Sequence, residues 1–257
     1  MRVLNRAFDH SLELEERAAD PLAGGMMRGY QCGMVWGAAL AAGAQAYRTL
    51  GKGPQAEARA VIAAQRIVQS FRAQNKSIDC GEITGIDLSA PTTRAIVRFL
   101  VKSAPTGSCL GMSARCAHAT FREINVALSE TQTEALSAPV SCAAMLAQKL
   151  GASDLHTVMA AGLAGGIGLS GGACGALGAA LWISGMNGPR AGADRMGLPS
   201  YASDAIERFT KFTGHEFECS QIVGRKFESV TDHASYVRKG GCSKLIEVLA
   251  AQGRKFT

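Results

Sequence analysis

The chain has 257 residues, 47% of them hydrophobic and 19% charged, which is enough apolar content to bury a core in one large domain or in two modules of about 125 residues, and too much for a disordered chain. Its net charge of +6 is spread along the whole length with no run of four Lys or Arg and no interleaved aromatics, which argues against nucleic-acid binding and leaves solvated helix faces or an acidic protein partner. Aromatics make up only 6% while 30 residues are glycine, so the expected packing is of helices brought close by small side chains.

The first 25 residues mix charges (Arg2, Arg6, Asp9, Glu13, Glu15, Glu16, Arg17) and contain no apolar stretch ending in a small-residue cleavage site. A secretory leader is therefore not expected, and a cytoplasmic location is. In that compartment eight cysteines are free thiols, metal ligands or redox groups rather than a disulfide framework. Strand-like alternation is almost absent, and the apolar spacing predicts helices over 5–19, 30–50, 54–74 with Pro54 in the first turn, 91–103 with Pro91 likewise, 113–128, 130–150, 154–165, 173–186, 202–213 and 242–252. The fold class expected is all-α. Between Thr157 and Met186 no residue is charged, a length that could cross a bilayer. Frequent glycines and few large aliphatics favour two buried helices joined by a glycine loop, with docking at the inner face of a membrane as the alternative.

Shifting the chain by 142 residues lays Gly24 on Gly166, Gly29 on Gly171, Cys32 on Cys174, Gly33 on Gly175 and Gly43 on Gly185. Further on, Cys80-Gly-Glu-Ile-Thr-Gly85 mirrors Cys219-Ser-Gln-Ile-Val-Gly224, and Cys116 answers Cys242 more loosely. Repeated cysteines in repeated order predict a duplication: two helical-bundle modules, 1–129 and 130–257, packed with pseudo-two-fold symmetry. The polar stretch Ser129–Glu134 is the natural boundary.

The second half, with Cys142, then Gly-Gly-Ala-Cys174-Gly-Ala-Leu-Gly178, then Cys219 and Cys242, resembles the C_GCAxxG_C_C family, which is regarded as redox-active. The first half resembles it more weakly. Two departures stand out: Ala173 and Gly175 exchange the motif's first glycine and its alanine, and Trp36 replaces its last glycine in the first copy, where Gly178 keeps it in the second. The first copy also has no cysteine matching Cys142, and Cys109, without a counterpart of its own, is the candidate to supply a fourth thiolate. The resemblance implies redox function and leaves the cofactor open. A related helical module in split-Soret cytochromes is associated with an iron–sulfur centre, which favours such a cluster here.

Cys32 and Cys174 sit where a glycine-rich turn becomes a helix, and Cys242 follows Gly240-Gly241 into another, so unpaired N–H groups and the helix dipole can stabilise negative sulfur. Four thiolates hold a two-iron or four-iron cluster. The candidate ligands are Cys32, Cys80, Cys109 and Cys116 in one half and Cys142, Cys174, Cys219 and Cys242 in the other, for one or two clusters per chain. Gly29, Gly33, Gly171, Gly172 and Gly175 are the candidates for bringing backbone up to the cofactor. Buried packing cysteines, zinc, and dithiol–disulfide exchange with Cys174 attacking and Cys219 or Cys242 resolving remain rival readings. No Cys-x-x-Cys-His motif supports covalent haem. His118, His156, His215 and His233 read as surface or capping residues, with His118, two residues from Cys116, the one to test. The functions compared are an iron–sulfur electron carrier serving a redox partner or larger oxidoreductase complex, a thiol or sulfur-handling oxidoreductase, and a structural subunit of a membrane-associated complex. No small-molecule substrate is inferred, and no hydrolase or phosphate-binding motif is present.

Overall fold

The computed structural model describes residues 1–88, 92–104, 108–130, 137–187 and 198–251. Pro91 and residues 131–136 of the expected boundary stretch lie outside them. Among the described residues the fold is all-α, with two isolated β-bridges and no strand. The helices are α1 (Arg2–Ala7), α2 (Glu13–Ala18), α3 (Gly33–Leu50), α4 (Pro54–Asn75), α5 (Cys80–Thr84), α6 (Thr93–Ser103), α7 (Ser108–Ser129), α8 (Cys142–Lys149), α9 (Asp154–Ala161), α10 (Gly175–Asn187), α11 (Ser200–Thr213), α12 (Cys219–Val223), α13 (Val230–Arg238) and α14 (Ser243–Ala250).

Two expected helices are shorter than their apolar spacing suggested. The segment 5–19 divides into α1 and α2 because the chain turns at Asp9, whose φ is 57°. Of the segment 130–150, the described residues 137–141 are not helical and α8 starts at Cys142, where the Ser141 hydroxyl accepts from the Ala144 N–H and fixes the first turn just after Pro139. Helices α5, α12 and α13 were not anticipated. The first two are single turns closed by Gly85 and Gly224 in the left-handed region, and the third starts at a Ser229 cap that accepts from Asp232 N–H.

Two long small-residue helices form the centre. α3 packs against α4, α7 and, from the other half, α9; α10 packs against α8, α11, α14 and, from the other half, α2. The halves are thus interlocked by equivalent contacts. Each crossing depends on a glycine: a Cβ on Gly43 would lie 2.5 Å from the Met159 Cα, and one on Gly185 would lie 2.8 Å from the Ala18 carbonyl oxygen. Trp182 of α10 donates its indole N–H to the Glu15 carbonyl at 3.0 Å, and His156 reaches the Glu15 carboxylate at 2.9 Å, so the second half is also tied to α2 by polar contacts.

The charge-free stretch 157–186 folds as α9 and α10 with a glycine segment between them, as the composition suggested. No helix among the described residues is long and apolar enough to cross a membrane.

Candidate redox site

Each half approaches its motif cysteine through an unusual backbone. Gly24, Gly25, Met26 and Met27 have φ of 62, 63, 61 and 53°, and their counterparts Gly166, Ile167, Gly168 and Leu169 have 79, 65, 53 and 60°. Four successive residues with positive φ make a left-handed turn, which costs an L-residue roughly 1–2 kcal/mol per position. The cost is offset by burial: Met26 and Ile167 are fully enclosed. The turn reverses the chain so that Cys174 enters α10 from inside the core.

Beyond the turn, the same hydrogen bonds recur in both halves. Cys32 N–H donates to the Ile78 carbonyl at 2.7 Å and Cys80 N–H to that of Tyr30 at 2.7 Å; Cys174 N–H donates to Phe217 at 2.8 Å and Cys219 N–H to Gly172 at 2.7 Å. The bridges Gln31–Asp79 and Ala173–Glu218 lie between these bonds. Two cysteines distant in sequence are thereby fixed side by side at the starts of two helices, once per half.

Near the pseudo-two-fold axis, equivalent residues meet each other. Trp36 and Gly178 occupy the same motif position, and a Cβ on Gly178 would fall 2.1 Å from the Trp36 ring. Gln31 and Ala173 are also equivalent, and the Gln31 side-chain oxygen accepts from Ala173 N–H at 3.0 Å while its amide lies where a Gly172 Cβ would be. Gln31 is fully buried and its carbonyl accepts from the Trp36 indole at 3.1 Å. Residues of the first half therefore complete the backbone around Cys174.

All eight cysteines are free thiols, and all but Cys109 and Cys242 are buried. In the second half Cys142, Cys174, Cys219 and Cys242 interact electrostatically as one group. Burial pushes the Cys174 thiol up to about 12, with the Cys142 charge adding to the rise and the N–H groups of Leu177 and Ala176 opposing it. Burial likewise raises Cys219, with Cys174 and Cys142 contributing. Cys142 goes the other way. It accepts a hydrogen bond from the Cys242 thiol, and this, helped by His233 and the Gly165 N–H, outweighs burial and lowers its pKa. Cys242, the donor, is raised accordingly.

His233 is 1% exposed and is not a surface residue as its sequence context suggested. Its Nδ1 donates to the Val140 carbonyl at 3.0 Å, leaving Nε2 without a nitrogen or oxygen partner on a ring that stands beside Cys142. Burial works against its charged form, and the Cys142 thiolate outweighs that effect and raises its pKa. The signal available in the sequence was the Ser229-Val-Thr-Asp232 cap, which starts the helix that carries His233. His118, by contrast, is exposed on α7, and His156 is engaged with Glu15.

In the first half burial pushes Cys32 up to about 11 and Cys80 up to about 12. Met34 and Val35 N–H groups oppose the rise at Cys32, just as their equivalents do at Cys174, while Cys109 and Cys116 add to it. Cys109 lies in the first turn of α7, and Cys116 lies two turns further on, where Asn75 donates to its sulfur at 3.4 Å. A cavity of about 480 Å³ opens beside Cys109, lined by Asn75, Glu82, Met112 and Arg115 among others.

The five glycines singled out in the sequence all face protein. Gly33 lies against Ala23, Gly29 against Gly81, Gly171 against Lys226 and Ser220, Gly172 against Gln31, and Gly175 against the Leu163 carbonyl. Among the backbone donors that reach a cysteine, Gly165 belongs to the same glycine run but lies outside that set.

The model of the family described as "Putative redox-active protein (C_GCAxxG_C_C)" matches residues 1–126 and again residues 139–254. The chain belongs to this family. It carries the family's domain twice, as a tandem duplication. No curated protein and no solved structure matches it.

For this C_GCAxxG_C_C protein the donor chemistry of the second half fits a thiolate-held cluster: four mutually interacting cysteines, three of them buried and Cys242 half-buried, with backbone N–H groups directed at sulfur. Among the described residues no three His, Cys, Asp or Glu side chains are grouped tightly enough to hold a single metal ion.

Proposed function

We propose that the chain is a cysteine-based redox protein whose second-half thiols, Cys142, Cys174, Cys219 and Cys242, hold one iron–sulfur cluster and pass single electrons to a redox partner or a larger oxidoreductase complex. The observation that carries this reading is the convergence of those four sulfurs, from four different helix starts, into one electrostatically coupled group. When bound, the cluster supplies the one-electron chemistry. The protein's part is to desolvate the sulfurs, direct Gly165, Ala176 and Leu177 N–H groups at them, and lower the pKa of Cys142, which favours the deprotonated form that a metal ligand needs.

The test is anaerobic purification with iron, acid-labile sulfide, visible and EPR measurements, repeated on Cys174→Ser and Cys219→Ser. The reading requires at least two irons and two sulfides per chain, with both lost in the variants. Fresh protein that contains neither and resists reconstitution would sink it.

One observation favours a second reading, thiol–disulfide exchange. The mutual interaction of Cys142 and Cys242 lowers the Cys142 pKa and raises that of Cys242, so the reactive pair would be these two residues rather than Cys174, whose pKa burial raises. The two thiols would give two electrons and two protons to a partner's disulfide and become a disulfide themselves. Peptide mapping after diamide treatment of the iron-free protein would find a Cys142–Cys242 link if this reading holds, and no link if it does not.

A further inference from the structure

Helix α6 stands apart from the rest of the surface. Its sequence, Thr-Arg-Ala-Ile-Val-Arg-Phe-Leu-Val-Lys-Ser, contains no acid and is strongly amphipathic. One side is held to the protein: Ala95 and Phe99 pack against the small cluster of Cys80, Ile86 and Leu88, and the Lys102 ammonium donates to the Thr84 carbonyl at 2.7 Å. The opposite side faces water. There Val97, Leu100 and Val101 are 52, 60 and 65% exposed, three of the most exposed large aliphatics in the described chain. At 100° per residue these three fall on one arc, and Arg94 and Arg98, both exposed, fall on the arc beside it.

We infer that α6 docks this protein on an anionic lipid surface, with Val97, Leu100 and Val101 entering the acyl boundary and Arg94 and Arg98 meeting the headgroups. An aliphatic stripe beside arginines on a helix lacking acids is the arrangement of helices that lie in the plane of a membrane interface. Because Phe99 packs near Cys80 on the inward side, the docked helix would hold the cysteine-bearing core at the membrane surface. The inference goes beyond the redox reading and stands whether or not a cluster binds.

The full-length protein should co-sediment with phosphatidylcholine vesicles that contain phosphatidylglycerol and not with pure phosphatidylcholine vesicles. Arg94→Gln and Arg98→Gln should each weaken partitioning on the order of fivefold, and added salt should mimic them. Leu100→Ser with Val101→Ser should abolish binding, while circular dichroism stays unchanged because both side chains point outward. Absence of binding to either vesicle, or binding indifferent to these substitutions, overturns the inference. So does a concentration-dependent dimer in sedimentation velocity that Leu100→Ser dissolves, since α6 would then be covered by a second copy.

Discussion

If Trp36 and Gly178 meet because they are symmetry equivalents on a shared axis, their substitutions must be coupled. Trp36→Ala removes a fully buried indole and its bond to the Gln31 carbonyl, a loss of about 3–5 kcal/mol for the ring and about 1 kcal/mol for the bond. Gly178→Ala places a methyl 2.1 Å from a ring that cannot retreat, because Trp36 is enclosed on every side. Overpacking of this kind costs about 1–3 kcal/mol, against a helix-propensity gain of at most about 1 kcal/mol. With Trp36 already replaced by alanine the clash is gone, and the methyl added by Gly178→Ala refills part of the space, so there the same change should be neutral or stabilising by about 1 kcal/mol. Urea unfolding of the four proteins, analysed with a common m-value, should therefore give a coupling energy of about 1–3 kcal/mol in favour of the double variant, the propensity gain being common to both backgrounds. Additivity within about 0.5 kcal/mol would mean that the two residues do not touch and would refute the pseudo-two-fold packing at this point.

Glu57 is buried, and burial raises its carboxyl to about 7 although Val140 and Ser141 N–H groups oppose the rise. A carboxyl whose folded pKa lies above its unfolded value favours the fold below the unfolded pKa and loses that contribution as pH climbs through the folded one. Wild-type stability should accordingly fall by about 3 kcal/mol between pH 4.5 and pH 8 relative to Glu57→Gln, which denaturation of both proteins across that range checks. Native iodoacetamide labelling followed by peptide mapping should modify Cys109 first and Cys242, half-exposed but with a raised pKa, only slowly, while sparing the six buried cysteines; early labelling of Cys174 would contradict the burial. Gly168→Ala would put a Cβ 2.4 Å from the Gln65 nitrogen at a φ of 53°, and should cost at least about 3 kcal/mol in thermal or urea unfolding, whereas Gly214→Ala, with open space beside it, should cost only the backbone strain of about 1 kcal/mol.

The repeat was legible because glycines and cysteines tolerate few replacements at their positions, so a shift of 142 residues aligned them in spite of drift elsewhere. Helices α3, α4, α10 and α11 were legible for the usual reason, a long apolar period closed by glycine or opened by proline. The left-handed turns were not. Met26, Met27, Ile167 and Leu169 have no intrinsic preference for positive φ, and what holds them there is tertiary burial, which a local pattern does not contain. His233 was missed because it lies on a short helix whose apolar face, Val230, Ala234 and Val237, is too brief to stand out, so a buried imidazole looked like a surface one. Trp36 was visible as a departure from the glycine of the motif, but its meaning required a partner, and that partner is its own counterpart 142 residues away.

That pairing explains why one chain with two copies can build what two identical chains cannot. In a symmetric dimer any residue on the axis meets itself, so a tryptophan at the motif's last glycine would confront another tryptophan, and a glutamine would confront another glutamine. Duplication removes the constraint: Trp36 is accommodated because the opposite position is Gly178, and Gln31 reaches Ala173 because the opposite segment offers a bare N–H beside Gly172. Each exchange makes the halves dependent on each other. Removing the first half would strip the Ala173 N–H of its acceptor, α10 of its contact with α2, and the Trp182 indole of the Glu15 carbonyl, all next to the chain that positions Cys174. The second half holds the four gathered cysteines and the buried His233, but the first half has become part of the wall around them.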